Sequence, residues 1–189
     1  MRRKEKIADL ADKFLETRLE KSLAEVENYF LVNKKDIKEK FIEDLDTLIE
    51  LAKNQQKEGI KRAIAYMNIC FLRSGVFVES NPFMVSLYDD KFYLDKTETR
   101  IYFDLDFIFE PVNRDIEELT KEIKIYPTLK KFEIKELKIF YTQLFLVYCI
   151  TTLEELCRYI KEKVNFDGLN LTEDFKIIYG EHMEEGVAV

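Results

Sequence analysis

Five glycines and three prolines in a chain of 189 residues leave few places where a helix can be broken, and this scarcity constrains the fold more than any motif. It leans the chain towards helices. From Ile7 to Leu31, the residues Ile7, Leu10, Phe14, Leu15, Leu19, Leu23, Val26 and Phe30 recur at three- and four-residue steps among Glu and Lys, as in an amphipathic helix. Asp36 with Glu39 reads as a capping-box-like start to a second helix, whose buried stripe is Ile37, Phe41, Leu45, Leu48, Ile49 and Ala52. The polar stretch up to Gly59 either breaks it or lets it run on into a third helix, Ile60 to Arg73, ended by Gly75. Asp115 is placed to cap a helix through Lys124. Residues 129–164 carry the longest helical pattern, closed by Asn165 to Gly168, and Thr172 starts a last short helix.

Between Val76 and Pro111 the period changes. Phe83 to Tyr88 and Phe92 to Leu94 are aromatic and apolar runs separated by the polar turn Asp89-Asp90-Lys91, which fits an antiparallel meander. In RIYFDLDFIFEP, residues 100–111, the odd positions Ile101, Phe103, Leu105, Phe107 and Phe109 are all apolar, so residues 101–109 are read as a strand. The resulting fold class is mainly α. It is a single-domain bundle of about six helices around a buried central helix, 139–150, with a small β-meander near 76–110. Its parts are a helical 1–75, a β-like insertion 76–111, a helical 112–180 and a tail 181–189.

The central segment IFYTQLFLVYCI, Ile139 to Ile150, is the most lipid-like in the chain, but its twelve residues fall short of the about 20 that a bilayer core requires. A helix buried on nearly all sides is the better reading, with Thr142 and Gln143 bonded internally or turned to an edge. Arg2-Arg3-Lys4 is followed by Glu5 and by no apolar run, so no signal peptide is read. Cys70, Cys149 and Cys157 are an odd number of thiols. Cys149 and Cys157 would stand about 12 Å apart along one helix, too far for a disulfide. Buried thiols in a reducing, cytoplasmic compartment are expected.

The sequence removes several kinds of chemistry. His182 is the one histidine, so any triad would have to use it, and His182 with Glu185 lacks the second histidine of a zinc helix. The scattered glycines provide neither phosphate-binding loop, and no CxxC occurs. A net charge of −7 argues against nucleic acid. No cofactor is expected, and catalysis is disfavoured.

What remains is acidic and aromatic. If residues 101–109 are a strand, Asp104 and Asp106 project from one face about 7 Å apart, with Tyr102 beside them and with Tyr93 and Asp95 facing the same way from a neighbouring strand. Acids and tyrosines in this arrangement suit a protein-binding patch, since aromatic rings give much contact area for little lost entropy. The leading expectation is a non-catalytic interaction or regulatory protein. It would use Tyr93, Asp95, Tyr102, Asp104 and Asp106, or a groove between helices, to contact another protein or a second copy of itself, without nucleic acid or membrane. The alternative is a divalent-metal-dependent enzyme acting on a phosphorylated or nucleotide substrate through Asp104 and Asp106, aided by Arg100 or Arg73.

Overall fold

The computed structural model describes residues 3–72, 83–103, 105–123, 130–181 and 187–188. Among them are three α-helices: α1 Arg3–Lys57, α2 Glu110–Ile123 and α3 Lys131–Lys163. Among the same described residues are five strands: β1 Ile64–Phe71, β2 Phe83–Tyr88, β3 Arg100–Phe103, β4 Leu171–Glu181 and β5 Val187–Ala188. The strands form one mixed sheet in the order β3-β2-β1-β4-β5, with β1 parallel to β4 and every other neighbouring pair antiparallel. This overturns the six-helix bundle with a small meander.

Three elements account for the difference. The expected first and second helices are one helix. No glycine or proline interrupts residues 3 to 57, Asn33 donates its amide to the Tyr29 carbonyl at 2.9 Å, and Asp36 lies inside the helix rather than capping one. Ile60 to Arg73 is not a helix: its described part contains β1. Every residue of β1 but Tyr66 is buried because both faces of this central strand are covered, the face of Tyr66 and Asn68 by the rings of Phe92 and Tyr93, so its apolar run does not alternate. The last expected helix is β4, in which the alternation of Phe175, Ile177 and Tyr179 places the last two in the core. The long helix expected over 129–164, by contrast, is present as α3, Lys131–Lys163, and β2 matches the first run of the meander. Gly75, Lys124 and Pro127 lie outside the described residues.

By contacts the chain divides into two compact units, Met1–Asn33 with Asp106–Cys149, and Lys34–Leu105 with Ile150–Val189. In the first, Leu15, Val26, Ile116, Leu119 and Phe145 are buried, and a polar cluster is buried with them. The Asp115 carboxylate, 1% exposed, accepts hydrogen bonds from the Ser22 hydroxyl at 2.6 Å and the Tyr141 hydroxyl at 2.8 Å. Arg114 lies 3.6 Å from the same carboxylate and bonds Glu25 at 2.8 Å. Burial and then the Asp115 bond raise the Tyr141 phenol well above its ordinary range. The helix that Asp115 was expected to cap starts at Glu110, with Pro111 in its first turn, where a missing amide costs nothing.

In the second unit the sheet face carrying Met67, Ile69, Phe83, Val85 and Leu87 is buried, and the rings of Phe41 on α1 and Phe103 on β3 meet at 4.9 Å. Lys34 and Lys38 of α1 both reach Glu155 of α3, at 2.8 and 3.2 Å. α1 stops at Gly59. The Ile60 amide donates to the Gln55 carbonyl and the Gly59 amide to that of Gln56, while Gly59 adopts φ +71. This paired closure needs a left-handed residue, which only glycine supplies cheaply. A methyl group at Gly59 would meet nothing within 4 Å. Gly59→Ala is therefore expected to cost about 1 kcal/mol from backbone strain alone, read as a lower urea midpoint with an unchanged slope.

Candidate interaction surface

The loop from Asp89 to Thr97, which joins β2 towards β3, is organised by a lysine that no sequence pattern singles out. The Lys61 side chain is 0% exposed, and its ammonium group donates to the Leu87 carbonyl at 2.7 Å, the Asp95 carboxylate at 2.5 Å and the Thr97 carbonyl at 3.1 Å. Asp95 in turn accepts the amides of Asp89 and Thr97, each at 2.9 Å. Burial pushes the Asp95 carboxyl up, but the Lys61 bond and the two amides outweigh it and hold the group below the usual aspartate range. Each acceptor and donor of the pair is used internally.

Those residues of the expected acidic, aromatic patch that the structure describes, Tyr93, Asp95, Tyr102 and Asp106, lie in different places. Asp95, with a side chain 4% exposed, is the counter-ion of Lys61 and has no surface to offer a partner. Phe92 to Leu94 is a 3₁₀ turn and not a strand, entered through Phe92 at φ +53, a conformation that costs a non-glycine residue about 1–3 kcal/mol. The turn packs Phe92 against Tyr66 and Tyr88, with ring centroids 5.0 Å apart in both cases, and it leaves Tyr93 half-buried and bonded by Asn68 at 3.3 Å. Tyr102 is exposed on the edge strand β3, its ring 5.8 Å from the Arg100 guanidinium. The strand ends at Phe103, so 101–109 is not one strand, and Asp106 lies in a second 3₁₀ turn, Asp106–Ile108. Asp104 and Arg73 lie outside the described residues, as do His182 and Glu185. The single strand face that would have paired Asp104 with Asp106 is not formed.

The buried thiols accord with expectation. Burial raises Cys70 and Cys157 to about 12, and Cys149 higher still, so none is a nucleophile near neutral pH. Burial likewise raises the Tyr88 phenol. Ser86, buried beside it on β2, has no hydrogen-bond partner at bonding distance among the described residues, although it lies close enough to Tyr88 to oppose part of that shift.

The surface that the structure does present is on α3. The segment read as buried on nearly all sides is buried on one: Tyr141, Thr142, Phe145 and Cys149 are in the core, with Thr142 bonded to the Lys138 carbonyl at 2.7 Å. The other side is in water, with Phe140 57%, Leu144 38%, Val147 58% and Ile150 52% exposed. These four recur at the helical repeat and form one line along a single helix. A run with almost no charge looks buried all round on any periodicity count. The signal that separates the faces is polar: Gln143 and Thr151, both exposed, share the line with the apolar four.

No family model, curated protein or solved structure matches this chain at a significant level. Among the described residues, no helix is long and apolar enough to cross a membrane.

Removing one partner of the clasp leaves the other charge buried and unpaired, so Asp95→Asn should cost about 3–5 kcal/mol in chemical unfolding, and Lys61→Met with Asp95→Asn should recover most of that loss. Because the folded-state pKa of Asp95 is depressed, its contribution is complete above the ordinary aspartate range and is lost as pH falls through the folded value. An acid titration followed by near-ultraviolet circular dichroism should show the second unit losing stability below about pH 4, with a smaller loss in the double variant.

Proposed function

We propose that this protein acts by binding another protein chain, without chemistry of its own, through the exposed apolar line of α3. The observation that carries the reading is the concentration of Phe140, Leu144, Val147 and Ile150 on one side of one helix. Exposed apolar residues scattered singly need no explanation, whereas a contiguous line marks a surface that is covered in use. Burying such side chains supplies about 1.5–3 kcal/mol each when coverage is complete, enough for a few together to anchor an interface. The helix-in-groove mode of recognition uses this spacing of anchors. Tyr93 and Asp95, spent on the loop's own packing, are not part of this surface, and Tyr102 with Arg100 is a separate exposed spot on the sheet edge.

A photo-cross-linking residue placed at Leu144 in cells that make this protein tests the reading. A discrete cross-linked species is expected at Leu144, lost on Val147→Asp and not formed from the exposed Lys121 on α2. Absence of any adduct along the line, or equal adducts at Lys121, would sink it.

A further inference from the structure

Resting on that reading, we propose that the chain covering the line is a second copy of this one, with two α3 helices packed antiparallel about Val147. The sequence of α3 is complementary to its own reverse. Equal steps outward from Val147 meet Leu144 and Ile150, then Gln143 and Thr151, then Phe140 and Glu154, then Glu136 and Arg158. Each of these positions is exposed except Glu154, which is half-buried. With Val147 on the two-fold axis, Leu144 of one copy lies opposite Ile150 of the other, and the Gln143 amide opposite the Thr151 hydroxyl. Further out, Phe140 lies against the aliphatic stem of Glu154, and Glu136 against Arg158. Beyond them, Glu133 falls opposite Lys161. The two-fold operation makes each of these pairs twice.

The charges decide the orientation. In a parallel pair every residue meets its own copy, so Glu136 would face Glu136 and Arg158 would face Arg158. Reversing one helix brings the acids of the first third of α3 against the cations of its last third. Arg158 already pairs with Glu154 within its own helix. Its five donors can serve that carboxylate and the Glu136 of the second copy together. From Glu136 to Arg158 the helix rises about 33 Å, and contact over that length requires the shallow crossing of about 20° at which helices of long bundles pack. An apolar centre, a polar pair next to it and opposite charges at both ends is the composition of a specific helix–helix interface.

The experiment uses the full chain in sedimentation equilibrium across a concentration series, together with single added cysteines, the native thiols being buried. The wild type should behave as a reversible dimer, and Val147→Asp as a monomer with an unchanged thermal melt. Glu136→Arg should raise the dissociation constant about 3- to 30-fold, and adding Arg158→Glu should restore it. Under mild oxidation Val147→Cys should form a covalent dimer, while Phe132→Cys, which lies far from its own copy in the antiparallel arrangement, should not. A monomer at every concentration, or cross-linking through Phe132→Cys in place of Val147→Cys, overturns the proposal. A monomer whose Leu144 cross-linker captures a chain of different mass overturns the self-pairing alone, whereas no adduct of any mass removes the surface itself. Should Val147→Asp fail to fold, the charge exchange between Glu136 and Arg158 decides the matter: loss and recovery of the dimer support the pairing, and an unchanged dissociation constant overturns it.

Discussion

An ammonium group with no access to water is the constraint around which the second unit is arranged. Taking Lys61 out of solvent costs several kcal/mol unless its protons are all met by acceptors. Those acceptors come from Leu87 at the end of β2 and from Asp95 and Thr97 in the loop beyond it. The Leu87 carbonyl cannot be reached unless β2 ends where it does, and Asp95 and Thr97 cannot be reached unless the chain folds back through the turn at Phe92. The unfavourable φ of Phe92 persists because that return path is over-determined by the lysine below it and by the Tyr66 and Tyr88 rings around it. With the loop fixed, Leu87 donates to Thr99 and β3 lies beside β2 in register.

The first unit solves a similar problem with the charge reversed. Asp115 is buried with donors from Ser22 and Tyr141 and with the Arg114 cation alongside, so α1, α2 and α3 each contribute to one small hydrogen-bonded cluster. Apolar contacts tolerate sliding by a residue or a fraction of a turn, but a buried carboxylate with two hydroxyl donors does not. In both units one ionised side chain selects one packing from the many that a chain rich in Leu, Ile and Phe could adopt.

How much of this is legible in the sequence depends on whether a residue's neighbours lie near it along the chain. α3 is legible because its period repeats over its whole length, and the turn at Gly168 because the cue is local: Asp167 bonds Asn165 and Gly168 adopts φ +83. β1 is not, since its continuous apolar run results from cover on both faces by residues distant in the chain, such as Phe92 and Tyr93, and IAYMNICF offers a helix and a central strand on nearly equal terms. The break between the first two expected helices rests on Asp36 and Glu39, whose capping pattern recurs by chance in a chain so rich in acids. The absence of glycine and proline there is the better guide. Asp95 and Asp115 read as a surface acid and a cap, because nothing in a local window shows that Lys61 or Tyr141 will arrive from elsewhere in the chain. The exposed side of α3 is obscured for the opposite reason: its residues have the chemistry of a core.

The parallel pairing of β1 with β4 has a consequence for how the protein comes to exist. Ile69 sits beside Tyr179, so the middle of the sheet is joined only after β2, β3, α2 and α3, which lie between them in the chain, have been made. Pairings between distant segments form slowly, because the entropy of closing the loop is spent before any contact rewards it. Until β4 arrives, β1 has a bare edge of unpaired backbone groups on a ribosome-bound chain. Between the synthesis of its first strand and of its fourth, the sheet therefore carries an unpaired inner edge, the condition under which strands pair wrongly.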